Sequence, residues 1–290
     1  MEEMKVEKIG VVGCGIMGSG IAQVCAQSGY QVVVSEMSDE LLKKGLQSID
    51  AFLSRSVSKG KLSSQDKGTI LSRMKGTTNI KDFSGCDLTI EAAPEVLEIK
   101  KDIFRQLDQV CPEHAILASN TSVLSVTDLA AVTKRPDKVL GMHFANPVPL
   151  MRSLEIVRTL ATSDETVETA KAVGERLGKK VIVVKDQAGF VANRILTPFL
   201  LNAIRMVEAG VPKEDIDALV TEGLGHPMGP LTLLDLIGID TVFRGASAIF
   251  EELKDPQYNP PTLMRKMVAM GWYGRKTGKG FYEYKGTGTS

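Results

Sequence analysis

Short apolar runs alternate with longer amphipathic segments along the chain up to about residue 186. The longer segments, such as IMGSGIAQVCAQSG and EVLEIKKDIFRQLDQV, have helical periodicity, and the short runs have the length of strands. Strands separated by helices are typical of parallel crossovers, so this region predicts an α/β fold with a doubly wound, mainly parallel sheet. The predicted strands are Lys8–Val12, Gln31–Ser35, Asp87–Glu91, Ala115–Ala118, Val139–His143, Leu154–Val157 and Lys180–Val184.

One crossover is longer than a single helix requires. The pattern from Asp39 to about Arg73 predicts two helices joined near Lys59–Ser64, which together form a helical hairpin inserted into the sheet. After Gln187 the strand pattern nearly stops, and helical patterning dominates residues 188–248 and 262–271, with breaks at HPMGP and DPQYNPP. We therefore expect two domains, 1–186 with the sheet and 187–290 almost entirely helical.

The composition excludes several classes of protein. Of the 290 residues, 43% are hydrophobic, which is enough for a sizeable core. Lys and Arg together number 35, as do Asp and Glu, and the resulting zero net charge disfavours nucleic acid or an anionic membrane as a partner. The chain has no uninterrupted apolar run of about eighteen residues, so the sequence predicts no transmembrane helix. The charged start, MEEMKVEKIG, lacks the pattern of a signal peptide.

The cysteines indicate a reducing compartment. None of them has the paired C-x-x-C spacing of a metal site, and three lie in apolar or glycine-rich surroundings. We therefore expect reduced thiols, no bound metal and a cytoplasmic location. The four residues are Cys14, Cys25, Cys86 and Cys111.

A glycine-rich loop, GVVGCGIMGSGI, follows the first predicted strand at residues 10–21. Gly13, Gly15 and Gly18 fit the G-x-G-x-x-G pattern, which permits a tight turn, close approach of a pyrophosphate and close packing of helix on strand. Glu36 ends the second strand, where a carboxylate would accept hydrogen bonds from ribose hydroxyls and repel a 2′-phosphate. The glycine loop and Glu36 together predict a site for NAD rather than NADP. The alternative interpretation is a glycine-rich turn that binds nothing, beside an incidental Glu.

A histidine at the end of a strand is the first candidate for chemistry. His143 ends the run VLGMH ahead of a Pro-rich loop, at the edge of the sheet where ligands bind. Glu155 lies in the next apolar run, RSLEIV, where a carboxylate needs a partner. If the two strands are neighbours, Glu155 can orient and charge-stabilise the imidazole. The alternatives are a structural histidine and pairing of Glu155 with Arg152 or Arg158.

Two further polar sites accompany the histidine. In LASNTS, residues 117–122, Ser119 or Asn120 could donate to a substrate oxygen or contact nicotinamide, although an N-cap or a turn explains such residues equally well. Asn193, in AGFVANRILTPFL, is a polar residue near the start of a strongly apolar helix at the junction of the two domains. A buried amide there requires a partner from protein or ligand.

The motifs together resemble the 3-hydroxyacyl-CoA dehydrogenases, and most closely the short bacterial 3-hydroxybutyryl-CoA dehydrogenases. The resemblance runs nearly from end to end, and several motifs in matching order are more specific than the glycine loop alone. The motifs are GCGIMGSGIA, IEAAPEVLEIKKDIF, LASNTSVLS, RPDKVLGMHFANPVPLM, GFVANRIL, HPMGPLTLLDLIGID and GWYGRKTGKGFYEY.

The resemblance implies a Rossmann-like NAD-binding domain followed by an all-helical domain that binds substrate and forms a homodimer. It implies NAD-dependent, reversible oxidation of a short (S)-3-hydroxyacyl-CoA to the 3-oxoacyl-CoA. His143 would be the catalytic acid and base and Glu155 its electrostatic partner, with Ser119 and Asn193 bonding the reacting oxygen. The implied cofactor contacts are Gly13, Gly15, Ile16, Met17, Gly18, Glu36, Glu95, Lys100, Asn120 and Asn146, and Arg55 and Lys59 on the hairpin would meet coenzyme A phosphates.

Three positions depart from the family pattern, and other functions share the architecture. Ala145 stands where Phe is usual, Gln187 where Pro is common, and Pro94 replaces an aliphatic residue, which leaves the acyl-chain preference open. A lambda-crystallin-like dehydrogenase of a free hydroxy acid or sugar acid would not need Arg55 and Lys59. A 3-hydroxyisobutyrate-type enzyme would need a lysine that GFVANRIL lacks. A non-catalytic NAD-binding protein would need no acid–base pair.

Overall fold

The computed structural model describes residues 5–284. The first four residues of MEEMKVEKIG and the last six of the chain lie outside the described residues. The chain divides into two compact units between Asp186 and Gln187. The first unit contains the sheet, and the described part of the second is helical.

An eight-stranded sheet forms the centre of the first unit. Apolar side chains on its buried strands, such as Ile9, Val34 and Ile90, pack against the helices that connect them. All seven predicted strands are present, and each predicted end lies within one residue of the observed one. The strands are β1 (Lys8–Val12), β2 (Gln31–Ser35), β3 (Met74–Thr77), β4 (Leu88–Glu91), β5 (Ile116–Ser119), β6 (Val139–Phe144), β7 (Ser153–Arg158) and β8 (Lys180–Lys185).

The strands lie in the order β3-β2-β1-β4-β5-β6-β7-β8. The first six in this order are parallel, and β7 pairs antiparallel with β6, while β8 is parallel to β7. The mainly parallel sheet predicted from the sequence is therefore confirmed. The reversal follows from the short connection between β6 and β7, since a loop of eight residues is too short for a parallel crossover.

One strand was not predicted. Strand β3, MKGT, is a four-residue strand that pairs with β2 at the edge of the described sheet, and just one of its residues is buried. A strand that buries only one of its residues needs no continuous apolar run. The signal used for the other seven strands is therefore missing from this one.

Helices cover the sheet, and two of them form the predicted hairpin. Helix α2 begins after the cap Ser38, and α3 begins after the cap Ser63, each hydroxyl accepting a backbone N–H. Lys67 Nζ lies 2.7 Å from both Asp50 and Ser54, which joins α3 to α2. The helices of this unit are α1 (Ile16–Gln27), α2 (Asp39–Ser58), α3 (Ser64–Ser72), α4 (Leu97–Val110), α5 (Val126–Ala130) and α6 (Asp164–Arg176).

The second unit packs its helices around a core of its own, in which Leu201, Ile204 and Leu234 are fully buried. The GWYGRKTGKGFYEY segment is attached by the buried Asp235, which accepts hydrogen bonds from the backbone N–H groups of Phe281 and Tyr282 at 2.9 Å. The helices are α7 (Ala192–Glu208), α8 (Lys213–Ala218), α9 (Pro230–Ile237), α10 (Ile239–Leu253) and α11 (Thr262–Ala269), with a π-helical turn at Leu219–Gly223.

The described residues also bear on the expectations about membrane spans and cysteines. None of the helices between residues 5 and 284 has the length and apolar character needed to cross a membrane. All four cysteines are buried free thiols.

Candidate active site

Five parallel strands bring polar residues to one edge of the sheet. Strands β1, β2, β4 and β5 end in register at Val12, Ser35, Glu91 and Ser119, and β6 continues past Gly141, the partner of Ser119, to Phe144. We call this end of the sheet the carboxyl edge. In open α/β sheets, ligands bind in the crevice outside this edge. Most of the candidate residues of the first unit lie in or directly after these strand ends.

The glycine loop joins β1 to α1 at the carboxyl edge. Gly13 has a φ of +95°, and a Cβ there would lie 2.7 Å from the carbonyl oxygen of Ala92. A Cβ on Gly18 would lie 1.9 Å from the carbonyl oxygen of Gly13. Both glycines are therefore required by the fold itself, one for its backbone conformation and both for close packing.

Gly15 is different, because the fold does not require a glycine there. Its φ of −71° and ψ of −161° suit any residue, and a Cβ would meet no atom of residues 5–284 within 4 Å other than its own chain neighbours. Gly15 precedes the first turn of α1, which contains Ile16 and Met17 and has neither a side-chain cap nor an acidic residue. A helix start of this kind presents backbone N–H groups to an anion. The space beside Gly15 and the uncapped helix start fit the pyrophosphate of a dinucleotide.

Glu36 lies beside the glycine loop, one residue after β2. Its Oε1 accepts the N–H of Cys14 at 2.8 Å, and its Oε2 accepts the N–H of Met37 at 3.0 Å. These bonds fix the orientation of the carboxylate, and a carboxylate has about four acceptor positions, so it can still accept hydroxyl donors. The geometry fits the predicted contact with a ribose.

His143 and Glu155 lie directly opposite each other on the antiparallel strands β6 and β7. His143 Nδ1 and Glu155 Oε2 are 2.8 Å apart, and the two side chains are 13% and 6% exposed. Of the two arginines considered as partners of Glu155, Arg158 pairs with Asp164 at 2.6 Å. The histidine–carboxylate pair expected from the sequence is therefore confirmed, and its catalytic role stays a prediction.

The hydrogen bond selects the tautomer of the histidine. With Nδ1 donating to Glu155, a neutral imidazole has its lone pair on Nε2. The pair can then accept a proton at Nε2, and the adjacent carboxylate stabilises the resulting imidazolium ion.

The turn after β5 contains a serine that does not fit its predicted role. Ser119 is fully buried, and its hydroxyl donates to Glu91 Oε2 at 2.6 Å while its oxygen accepts the N–H of Thr121 at 3.1 Å. A hydroxyl has one proton to donate, so Ser119 has none for a substrate oxygen. Asn120 is also buried, and its Oδ1 accepts the N–H of Phe144, which joins the ends of β5 and β6.

Glu91 and Lys100 form a buried ion pair beneath this turn. Lys100 Nζ lies 2.7 Å from Glu91, 3.1 Å from Glu95 and 3.2 Å from the carbonyl oxygen of Ala93. Its three N–H groups are therefore all used inside the protein, which leaves no donor for the predicted cofactor contact. Lys100 instead stabilises the loop between β4 and α4.

Glu95 connects that loop to the turn after β5. Its Oε1 accepts the Thr121 hydroxyl at 2.5 Å and the Ser122 N–H at 2.9 Å. Burial raises the pKa of Glu95, but the charge of Lys100 and these hydrogen bonds outweigh burial, so the pKa lies below its usual value. Glu95 is thereby kept ionised next to Ser122.

The remaining candidates are placed on the surface or in the second unit. Arg55 and Lys59 are exposed and one helical turn apart at the end of α2. Asn146 is exposed in the loop after β6, where a cis peptide bond joins it to Pro147. Asn193 belongs to the first turn of α7 in the second unit, where its N–H donates to the carbonyl oxygen of Gly189 at 3.1 Å.

Comparison with known proteins agrees with this arrangement. The family model described as "3-hydroxyacyl-CoA dehydrogenase, NAD binding domain" matches residues 8–187, and the one described as the C-terminal domain of the same enzymes matches residues 189–284. The chain belongs to the 3-hydroxyacyl-CoA dehydrogenase family. The Rossmann-type domain, the helical second domain and the family's cofactor, NAD, all agree with the sequence analysis.

Members of the family resemble the chain over nearly its whole length. A probable 3-hydroxybutyryl-CoA dehydrogenase of Deinococcus radiodurans is 47% identical over 96% of this chain and 100% of its own. A 3-hydroxybutyryl-CoA dehydrogenase of Mycobacterium tuberculosis is 46% identical over 96% of this chain and 99% of its own. The crystal structure of (S)-3-hydroxybutyryl-CoA dehydrogenase from Ralstonia eutropha matches with a TM-score of 0.94 at 45% identity, covering 97% and 100% of the two chains.

Sequence reasoning missed two residues of this site. Glu91 ends an apolar run, and the LTIE pattern gives no indication that its carboxylate is buried beside Ser119, because that contact depends on the order of the strands. Ser122 is half-buried in the turn after β5. The pattern SNTS contains both serines, and only the structure distinguishes the one bound to Glu91 from the one nearer the surface.

Proposed function

We propose that this chain catalyses the NAD-dependent, reversible oxidation of a short (S)-3-hydroxyacyl-CoA to the 3-oxoacyl-CoA. The observation that carries the proposal is the His143–Glu155 pair at the same carboxyl edge as a glycine loop with space for a pyrophosphate. A protein that only binds a dinucleotide needs no such pair. The named relatives at 45–47% identity support the same reaction and the four-carbon substrate.

NAD, when bound, accepts the hydride from the carbon that bears the hydroxyl. Gly15, the first turn of α1 and Glu36 would hold it. His143 Nε2 removes the hydroxyl proton during oxidation and returns it during reduction, which is general base and acid catalysis. Glu155 stabilises the imidazolium ion and keeps the ring in the productive tautomer.

A second group of residues would polarise the reacting oxygen. Since Ser119 donates its proton to Glu91, we assign this role to the hydroxyl of Ser122, which lies in the same turn and is half-buried. The part of Asn193 in the reaction rests on the family resemblance alone.

Arg55 and Lys59 would bind the phosphates of coenzyme A, because two exposed cations one turn apart suit a polyanion.

The homodimer is a proposal as well. It is supported by apolar side chains of the second unit that are 64–70% exposed, namely Ile195, Leu219, Leu224 and Met270. The cytoplasmic location stays a prediction from the sequence.

Oxidation of NADH, followed by the loss of its near-ultraviolet absorbance with acetoacetyl-CoA and with free acetoacetate, tests the proposed function. We expect turnover with the thioester and little with the free acid, and a higher KM for the thioester when Arg55 and Lys59 are both changed to Gln. A series of longer 3-oxoacyl-CoA substrates then defines the chain-length preference that Ala145 leaves open. Preference for acetoacetate would favour a hydroxy-acid dehydrogenase, and NADH binding without turnover would indicate a non-catalytic protein.

A further inference from the structure

Glu91 occupies a central position at the carboxyl edge, although it has no part in the proposed chemistry. It is the last residue of β4, and its neighbours in register are Val12 at the end of β1 and Ser119 at the end of β5. The glycine loop follows Val12, and the turn that contains Ser122 follows Ser119. The side chain of Glu91 is fully buried, so no ligand can reach it.

Three donors from three different elements meet this carboxylate. Oε1 accepts Lys100 Nζ of α4 at 2.7 Å and the N–H of Ala93 at 2.6 Å, and Oε2 accepts the hydroxyl of Ser119 at 2.6 Å. Charge-assisted bonds of this length are the stronger class of hydrogen bond in proteins. A single side chain thus connects a helix, the loop after β4 and the end of β5.

The bond to Ser119 controls the turn that follows it. Because the Ser119 proton is directed to Glu91, the oxygen is left to accept the N–H of Thr121 at 3.1 Å. Thr121 and the N–H of Ser122 are in turn bound by Glu95, which Lys100 holds at 3.1 Å. The position of Ser122 therefore depends on Glu91 through two chains of hydrogen bonds.

The bond to Ala93 acts on the other side of the edge. The backbone of Ala92 lies so close to Gly13 that a Cβ on Gly13 would be 2.7 Å from the Ala92 carbonyl oxygen. By holding the N–H of Ala93, Glu91 fixes the segment that packs against the glycine loop.

We propose that Glu91 is a positioning residue, which sets the backbone beside the glycine loop and the turn that contains Ser122 at the same time. The expected effect of Glu91 on turnover depends on the proposed function. Its expected effect on NADH binding depends on the glycine loop alone. Glu91 itself contacts neither substrate nor cofactor.

The proposal requires a carboxylate rather than a side chain of the same size. In Glu91→Gln, one of the two oxygens becomes an NH₂ group, so an NH₂ donor faces either the Ser119 hydroxyl or the Lys100 and Ala93 donors. If the NH₂ group faces Ser119, the hydroxyl must reverse from donor to acceptor and turn its proton away from position 91, which disturbs the turn bound through Thr121. If it faces Lys100 and Ala93, donors oppose one another and the loop after β4 must move. Displacements of about 1 Å can lower a rate by about 100-fold.

The test compares Glu91→Gln, Ser119→Ala, the double variant and Asp87→Asn. Asp87 is a matched control, because it immediately precedes the same strand β4 and accepts the N–H groups of Glu7 and Lys8 at 2.9 Å, at the opposite edge of the sheet. Each chain is assayed for its NADH Kd, for kcat and KM with acetoacetyl-CoA, and for Tm, at a temperature where all are folded.

We expect Glu91→Gln to raise the NADH Kd and to lower kcat by about 10- to 100-fold, with the KM for the thioester unchanged, because Arg55 and Lys59 lie on α2. Ser119→Ala, the smaller change, should lower kcat in the same way. The double variant should be no worse than Glu91→Gln, because both changes break the same bond, the one between Ser119 and Glu91. Asp87→Asn should lower Tm without altering kcat or the NADH Kd.

Three results would overturn the proposal. They are an unchanged NADH Kd and kcat in Glu91→Gln, effects of the two single changes that multiply in the double variant, and an equal loss of kcat in Asp87→Asn. If Glu91→Gln does not fold, Ser119→Ala alone decides, with wild-type kcat as the contrary result. If the wild-type chain turns over no acyl-CoA, the proposed function fails, and the NADH Kd values still test Glu91 separately.

Discussion

At the residue scale, two histidine–carboxylate pairs of the first unit differ in where they lie and in how deeply they are buried. His143 and Glu155 are 2.8 Å apart at the carboxyl edge. His114 and Asp87 are 3.1 Å apart, and these two residues precede β5 and β4 at the opposite edge of the sheet. Pairing with a carboxylate therefore does not by itself indicate chemistry, and what distinguishes the His143–Glu155 pair is its burial and its position at the carboxyl edge, where ligands bind in open α/β sheets.

The proposed catalytic role of His143 can be tested against His114. His143→Ala should lower kcat by at least about 10²- to 10⁴-fold, since a positioned acid–base group contributes that much. Glu155→Gln should cause a smaller loss, because an amide can hold the ring but cannot offset its positive charge. His114→Ala serves as the control and should keep wild-type kcat. Steady-state kinetics with NADH and acetoacetyl-CoA decide, and near-wild-type kcat in His143→Ala would remove the mechanism.

The same residues show how far sequence reasoning reaches. His143 and Glu155 could be selected because each is a polar residue in an apolar run, and their contact requires only that consecutive strands pair. The assignment of Ser119 to a substrate contact could not be checked from the sequence. Its partner, Glu91, is 28 residues away along the chain and becomes a neighbour only through the pairing of β4 with β5.

At the element scale, the glycine loop combines two kinds of constraint that a sequence motif cannot separate. Gly13 and Gly18 are required by the packing of the loop against its own helix and strand, whereas Gly15 borders open space. A G-x-G-x-x-G match treats the three positions alike. Of the three, the middle glycine alone has no packing reason among residues 5–284 to be small.

This difference predicts opposite results for two similar substitutions. Gly15→Ala should leave Tm within a few degrees of the wild type but raise the NADH Kd by about tenfold or more, which corresponds to about 1.4 kcal/mol. Gly18→Ala should lower Tm, because its Cβ would lie 1.9 Å from the Gly13 carbonyl oxygen. Thermal unfolding and NADH titration of both variants measure this. A normal NADH Kd in Gly15→Ala would show that no ligand approaches that backbone.

At the scale of the whole molecule, periodicity was sufficient for the architecture and insufficient for strand direction and for the edge strand β3. The seven strands with a continuous apolar run were found, among them the edge strand β8, whose side chains are exposed or half-buried. The edge strand β3 has no such run, and the reversal of β7 follows from loop length rather than from residue type. The change from mixed to helical patterning near Gln187 coincides with the division between the two compact units.

Burial of all four thiols has a consequence for the stability of the whole protein in alkali. Burial raises the pKa of each thiol from 9.0, with Cys25 reaching about 12 and Cys86 about 11. Below pH 9 the thiols are protonated in both states. Above pH 9 the unfolded chain loses protons that the folded chain keeps, so the contribution of each thiol to the free energy of unfolding is lost between pH 9 and its folded pKa, by about 1.4 kcal/mol per pH unit.

We therefore expect the free energy of unfolding to fall as the pH rises from 8 to 10.5, and Cys25→Ala to make that fall less steep. Val32→Ala is the matched control, because it also truncates a buried side chain of the same core but removes no ionisable group. It should lower stability by a similar amount at every pH, since a cavity costs the same whatever the protonation of the unfolded chain. Urea unfolding under reducing conditions at several pH values measures both slopes. Equal slopes for Cys25→Ala and the wild type would mean that the Cys25 thiol ionises as readily inside the protein as outside it.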